Sequence, residues 1–257
     1  MELESKLLEI DRLKSELDLL RPLSAAQTAS LKTLFDIDFT YNSAAIEGNS
    51  YTLQETRIVL LDGITIGGKS VREHLEIVNH KEAIDYIEKL AKKELHDFTK
   101  TDILNIHRLI LQGIDSENAG VYRKVPVYVK LKNGNIHKFC DPLKVIDEMD
   151  AYFDWLFSKK EEHPVFIAAE AHTRFVGIHP FVDGNGRTAR LIMNLILIHY
   201  GFPPAIIKMS RRSEYLDAIE SRQQNNDDSP FKNVLIDAVK ENLEIYLDTV
   251  KNNIIWK

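Results

Sequence analysis

The feature that most restricts what this chain can become is a polar turn held between two apolar helical segments. Residues 164–178 read as one helix, and residues 186–200 as the next, the second nearly all apolar from Leu191 to Tyr200 and so buried on most sides. The turn reads Ile178-His179-Pro180-Phe181-Val182-Asp183-Gly184-Asn185-Gly186-Arg187-Thr188-Ala189-Arg190. These residue types suit phosphate chemistry. Gly184 and Gly186 let successive backbone N–H groups point into one concavity at the positive end of a helix. Arg187 and Arg190, three residues apart, project to one side of that helix. Asp183 is a hard oxygen ligand of the kind Mg²⁺ prefers next to phosphates. His179, with an ordinary pKa near ~6.5, can take a proton from a hydroxyl at neutral pH. A merely polar helix–helix turn does not account for so many such side chains within twelve positions.

Residues 179–190 match the whole signature HPFxDGNGRxxR without a departure, and on these residues the chain resembles the Fic-domain proteins. The resemblance covers roughly residues 39–250. It implies an all-α Fic fold with a short β-hairpin flap, and an enzyme that moves AMP from ATP onto a hydroxyl of a target protein. By that likeness His179 is the base and Asp183 holds Mg²⁺. Asn185 and the backbone of Gly184 and Gly186 cradle the α- and β-phosphates, Arg187 neutralises the β-phosphate, and Arg190 reaches the γ-phosphate.

A second informative stretch closes a helix expected from Ser24 towards Glu47. In Ser43-Ala-Ala-Ile-Glu47-Gly48 a hydroxyl and a carboxylate stand four residues apart, hence on one helical face. Gly48 suits a left-handed exit directly after the glutamate. Beside a Fic signature this resembles the S/TxxxEG/N motif of self-inhibited members, which implies that Glu47 pairs with Arg190 and denies it to the γ-phosphate. ATP then sits with its α-phosphate poorly aligned for in-line attack. Inhibition of this kind needs no separate antitoxin protein.

Elsewhere the pattern is helical. Leu3, Leu7, Ile10, Leu13, Leu17 and Leu20 give an amphipathic N-terminal helix, which either packs on its own domain or pairs with a second copy. Thr52-Leu-Gln-Glu55 is a capping box. Further helices are expected over residues 70–93, 99–112, 141–158, 211–224 and 229–256. The period changes only between Gly120 and Asp141, where Val125, Val127, Val129 and Leu131 alternate with Lys124, Pro126, Tyr128, Lys130 and Lys132. An Asn133-Gly134 turn and a return strand over residues 136–139 complete a hairpin. Gly120-Val121-Tyr122-Arg123 resembles the lead-in to the Fic flap. The resemblance makes Val125, Val127, Tyr128 and Val129 the surface on which an extended target segment docks, its hydroxyl near His179. Tyr215 falls where family members often place aromatic contacts to adenine, though a core aromatic fits equally. His172 reads as a packed or supporting residue, since no zinc spacing accompanies it.

The single cysteine, Cys140, excludes an intramolecular disulfide and fits a cytoplasmic protein with a structural thiol. A net charge of −6 without a basic block argues against nucleic acid, and no apolar run approaches a membrane span. Residues 1–95 are expected to form a helical region including the inhibitory helix (about 39–48), and residues 96–257 the catalytic core with its C-terminal helices. No winged-helix appendage is expected. The chain therefore reads as a Mg²⁺-dependent, self-inhibited protein adenylyltransferase with ATP as co-substrate, an unnamed target protein as acceptor, and a homo-oligomer left open. Three alternatives are removal of AMP by the same scaffold, transfer of another phosphate-containing group, and a silent nucleotide-sensing or partner-binding module.

Overall fold

In chain order the helices are α1 (Glu2–Leu19), α2 (Ala25–Ile46), α3 (Leu53–Asp62), α4 (Val71–Leu90), α5 (Lys100–Leu111), α6 (Val145–Ser158), α7 (Pro164–Ile178), α8 (Asn185–His199), α9 (Arg212–Asn225) and α10 (Ser229–Lys251). Between α5 and α6 stand two short strands, β1 (Tyr128–Lys130) and β2 (Ile136–Lys138). The computed structural model describes residues 2–132, 134–159 and 161–256, so Asn133 of the expected hairpin turn lies outside the described residues.

Local sequence sets several of these boundaries. Ser24 with Gln27, Thr52 with Glu55, Ser70 with Glu73, and Thr99 with Asp102 each form a reciprocal capping box that starts α2, α3, α4 and α5. Each such cap is worth about 1 kcal/mol. Pro164 opens α7 at a position whose N–H has no helical partner in any case. The α7–α8 pair makes the most extensive contact between helices, and Leu191, Ile192, Met193, Ile196 and Leu197 of α8 are fully buried. The turn between the two is therefore carried on the most deeply packed part of the core.

Ile10, Leu13 and Leu17 bury one face of α1 against α10, so the N-terminal helix packs on its own chain. α10 ends at Lys251, short of the expected Trp256. Asn253 adopts a left-handed conformation (φ 51°), and the tail folds back so that the Trp256 N–H donates to Ser30 Oγ at 2.6 Å. Residues 141–144 form a 3₁₀ turn over Pro142–Lys144 before α6 begins.

The hairpin is shorter than its alternation suggests. Tyr128 pairs with Lys138, Val129 with His137 and Lys130 with Ile136, while Val125 and Val127 precede β1. Pro126 has no N–H to give a ladder, and the Val125 carbonyl is turned inward to accept from Arg123 at 3.0 Å. Among the described residues, no helix is long and apolar enough to cross a membrane.

Candidate active site

His179 terminates α7 in a left-handed conformation (φ 53°) that a non-glycine residue adopts only under restraint. The restraint is Arg123, a buried guanidinium with four backbone acceptors in reach. Its Nε donates to the His179 carbonyl at 2.7 Å, its Nη1 to Val125 O at 3.0 Å, and its Nη2 to Cys140 O at 2.7 Å and Ile178 O at 3.5 Å. The Arg123 N–H also donates to Pro180 O at 2.9 Å. One side chain thus ties both roots of the hairpin to the backbone that presents the histidine. The His179 ring stacks on Phe139 at 3.9 Å between centroids. Burial pushes its pKa down to about 4, so the imidazole is neutral and able to accept a proton at pH 7.

The loop beyond His179 is braced from within. Asn185 Oδ1 accepts from the Phe181 N–H and Asn185 Nδ2 donates to Phe181 O, both at 2.9 Å. His107 Nδ1 accepts from the Gly120 N–H, which leaves Nε2 as the donor to Asp183 O at 2.9 Å, and the ring stacks on Phe181 at 3.5 Å. Gly184 turns the chain at φ 78°, where a Cβ would meet Ile110 Cδ1 at 3.0 Å. No side chain caps α8, so its first N–H groups form an open anion site at the positive helix end.

Asp183 stands half-exposed at the rim. Its Oδ1 accepts from the Gly184 N–H at 2.6 Å and lies 3.4 Å from Arg187 Nη2; its Oδ2 accepts from Arg72 Nη2 at 2.7 Å. Glu76 lies 3.3 Å from Arg72 Nε and 3.5 Å from Arg187 Nη1, and accepts from Asn49 Nδ2 at 2.9 Å. Among the described residues no three acidic, histidine or cysteine side chains converge to hold a metal on their own. One rim carboxylate beside an anion site fits a Mg²⁺ ion whose other ligands are phosphate oxygens and water.

Glu47 reaches this site from the end of α2. Gly48 leaves the helix at φ 99°, as its position after the glutamate anticipates, and Arg212 Nε donates to Ile46 O at 2.7 Å to hold the helix end. Glu47 Oε1 accepts from Arg190 Nη2 at 2.8 Å. The same guanidinium donates to Ser43 Oγ at 3.0 Å, Ser43 O at 2.9 Å and Tyr215 OH at 3.0 Å. Burial opposes the Arg190 charge, but Tyr215 and Glu47 more than offset it and its pKa is raised. A Cβ on Gly186 would lie 2.4 Å from Glu47 Oε1, so the carboxylate occupies ground beside the nest.

His179, Asp183, Gly184, Gly186, Arg187 and Arg190 thus surround one loop, with Ser43 and Glu47 against its far arginine. Glu47, His179, Gly186, Tyr215, Val129 and Phe139 line a cavity of about 290 Å³. Val125 and Val127 do not line it. Tyr215 is buried, bonds Arg190, and donates to His172 Nε2 at 3.0 Å, which accounts for both residues as supports of the arginine. Arg72, Glu76 and His107 lie outside any motif and carry no signal in the sequence; Arg123 is visible only as part of the hairpin's lead-in.

The sequence profile of the Fic/DOC family matches residues 97–197. The chain is 32% identical to Fic-1 from C. elegans, whose structure it matches with a TM-score of 0.83 over 95% of this chain and 70% of that one. The chain belongs to the Fic/DOC family. A Fic domain containing signaling protein from Bacteroides thetaiotaomicron has the same fold, with a TM-score of 0.90, 29% identity, and coverage of 96% and 98% of the two chains. The protein adenylyltransferase Fic of Drosophila grimshawi is 35% identical over 246 residues, and that of Aedes aegypti 38% over 213. These alignments take in 95% and 82% of this chain but 49% and 42% of the relatives, so the chain spans about half the length of the curated relatives it matches. The helical bundle with its one hairpin is thus the Fic fold.

Proposed function

We propose that this Fic chain is a self-inhibited protein adenylyltransferase. The observation that carries the reading is the convergence on one loop of a neutral imidazole, an uncapped helix N-terminus and two buried arginines. ATP lies with its phosphates on the backbone of residues 184–186, its base in the cavity bordered by Tyr215, and its γ-phosphate towards Arg190. The target hydroxyl gives its proton to His179 as its oxygen bonds to the α-phosphorus. The bond from that phosphorus to the β-phosphate bridging oxygen breaks, and pyrophosphate leaves. Asp183 would hold Mg²⁺, which when bound neutralises charge on the phosphates. Glu47 blocks this arrangement because its carboxylate occupies Arg190 and repels a γ-phosphate. The target docks along the hairpin, at Val125, Val127, Tyr128 and Val129, with residues 1–95 as the restraining region and 96–257 as the catalytic core.

The experiment is Glu47→Gly with ATP and Mg²⁺, read by mass spectrometry. The expected result is an AMP adduct on the protein itself, weak or absent in the native chain and abolished by His179→Ala. An unlabelled Glu47→Gly protein that still binds ATP sinks the proposal and favours a silent nucleotide-binding module.

A further inference from the structure

The hairpin carries a charge pattern opposite to that of the whole chain. Residues 121–140 contain Arg123, Lys124, Lys130, Lys132 and Lys138 and no aspartate or glutamate, in a protein of net charge −6. Two of the five cations are already engaged. Arg123 is buried on backbone carbonyls, and Lys132 ties the hairpin tip to α9 through Ser213 Oγ at 3.0 Å and an ion pair with Asp217. Lys124, Lys130 and Lys138 are exposed and pair with no acid among the described residues.

Their placement is not random. Residues directly opposite in an antiparallel pair share a face, so Tyr128, Lys130, Ile136 and Lys138 lie on one side of the hairpin. Val129 and His137 lie on the other, in phase with Phe139, which stacks on His179. One lysine of the first face stands on each strand, and Lys130 also borders the cavity of about 290 Å³. A segment added to either edge alternates its side chains in the same way, and sets its residues on that face beside Lys130 or Lys138. The cavity of about 340 Å³ next to β2 adds Arg222, which bonds Asn226 and has no acidic partner among the described residues, against one carboxylate, Glu148.

We propose that the acceptor is an extended acidic segment: a hydroxyl residue flanked by aspartates or glutamates, whose carboxylates pair with the lysine of the edge it joins, Lys130 on β1 or Lys138 on β2. This rests on the adenylyl-transfer reading above and names the kind of partner that site takes. Exposed pairs favour encounter and register more than tight binding, and the flanking carboxylates together are worth up to about tenfold in kcat/KM.

The test uses the Glu47→Gly protein with ATP, Mg²⁺ and three blocked nonapeptides, each with one central tyrosine, flanked by aspartates, by glutamines or by lysines. A second set carries threonine at the centre. Transfer of AMP is read by mass, with self-labelling followed in the same tube. The expected order is aspartate before glutamine before lysine, about tenfold between the first two, narrowing with added salt. The double charge reversal Lys130→Glu with Lys138→Glu is expected to invert the order. Self-labelling together with charge-blind peptide labelling, a lysine preference, or no peptide labelling overturns the acidic-segment proposal alone. Absence of both self-labelling and peptide labelling removes the transferase reading beneath it.

Discussion

Arg190 Nη2 lies 2.8 Å from Glu47 Oε1 although 143 residues separate the two in sequence. The pair is lopsided: the guanidinium is almost wholly buried, while the carboxylate keeps 40% of its side-chain surface. Ser43 and Tyr215 remain as partners of Arg190 when Glu47 is removed, so the arginine is loosened rather than orphaned. Glu47→Gly is expected to cost about 1–2 kcal/mol, seen as a lower urea midpoint. ATP should restore more of that midpoint in the variant than in the native chain, because its γ-phosphate replaces the missing carboxylate. Equal stabilisation of both proteins by ATP would contradict the competition.

Gly186 supplies an independent reading of the same contact. An alanine there places its Cβ 2.4 Å from Glu47 Oε1, and only the flexible carboxylate end can move away. Gly186→Ala is expected to destabilise the native chain by about 1–2 kcal/mol through loss of the ion pair. In the Glu47→Gly background only a tight 3.1 Å approach to Arg190 Nη1 remains, and alanine's helix preference offsets it to leave the same change near neutral. A double-mutant cycle of urea midpoints measures the coupling. Additive effects would mean that the two residues do not meet.

Arg123 ought to matter for chemistry more than for nucleotide binding. Arg123→Lys keeps a charge but replaces a planar fork by a point donor, so the carbonyls of Val125, Cys140 and His179 cannot all be served. With His179 no longer held at φ 53°, transfer by the Glu47→Gly enzyme is expected to fall about 100-fold. ATP affinity, which the proposed function places on the α8 N-terminus, should change less than about threefold. Titration calorimetry beside single-turnover labelling separates the two.

How far the residues announced this arrangement differs from part to part. The 179–190 signature and the Ser43–Glu47 spacing were legible because each is contiguous, and helix geometry turns spacing into direction. Gly48 could be read as a left-handed exit from its place after Glu47. Arg72, Glu76 and His107 were not legible, because each acts through a contact made only by tertiary packing; Arg72 meets Asp183 across 111 residues. Tyr215 looked like an adenine contact or a core ring, and its hydroxyl in fact joins Arg190 to His172. The alternation of residues 124–132 suggests a longer hairpin than the one that forms, because strand pairing also needs the Val125 carbonyl that Arg123 takes.

Arg72 places a cation on the carboxylate oxygen that a metal would need. Its guanidinium is 2.7 Å from Asp183 Oδ2 and more than half exposed, so the pair is easily displaced but still competes. Arg72→Gln is expected to lower the Mg²⁺ concentration for half-maximal labelling by about threefold to tenfold in the Glu47→Gly protein. Binding of Mn²⁺ in the presence of a non-hydrolysable ATP analogue, followed by electron paramagnetic resonance, should tighten by the same factor. Unchanged metal binding would assign Arg72 to the resting loop alone.

Four histidines whose burial depresses their pKa give the fold a defined acid limit. Burial pushes His107 and His179 down to about 4, His80 to about 3 and His172 well below its ordinary value of 6.5. Each is neutral in both folded and unfolded chains above pH 6.5, and there contributes no pH dependence. Below that the unfolded chain takes up protons that the folded chain refuses, so stability falls as pH drops from 6.5 towards 4. The loss is on the order of 1–2 kcal/mol per histidine by pH 5. The carboxylates whose pKa is lowered, Glu73 to about 2 among them, lose their contribution at still lower pH. Urea midpoints should therefore decline between pH 6.5 and 5, and His107→Gln should flatten part of that decline. In the proposed reaction the depressed imidazole of His179 is the base. Glu47 raises the His179 pKa, so its removal does not move the base upward, and kcat/KM of the Glu47→Gly enzyme should hold down to about pH 5. An acid limb centred near pH 6.5 would show that His179 is solvated, and that it is not held under Phe139 when the enzyme works.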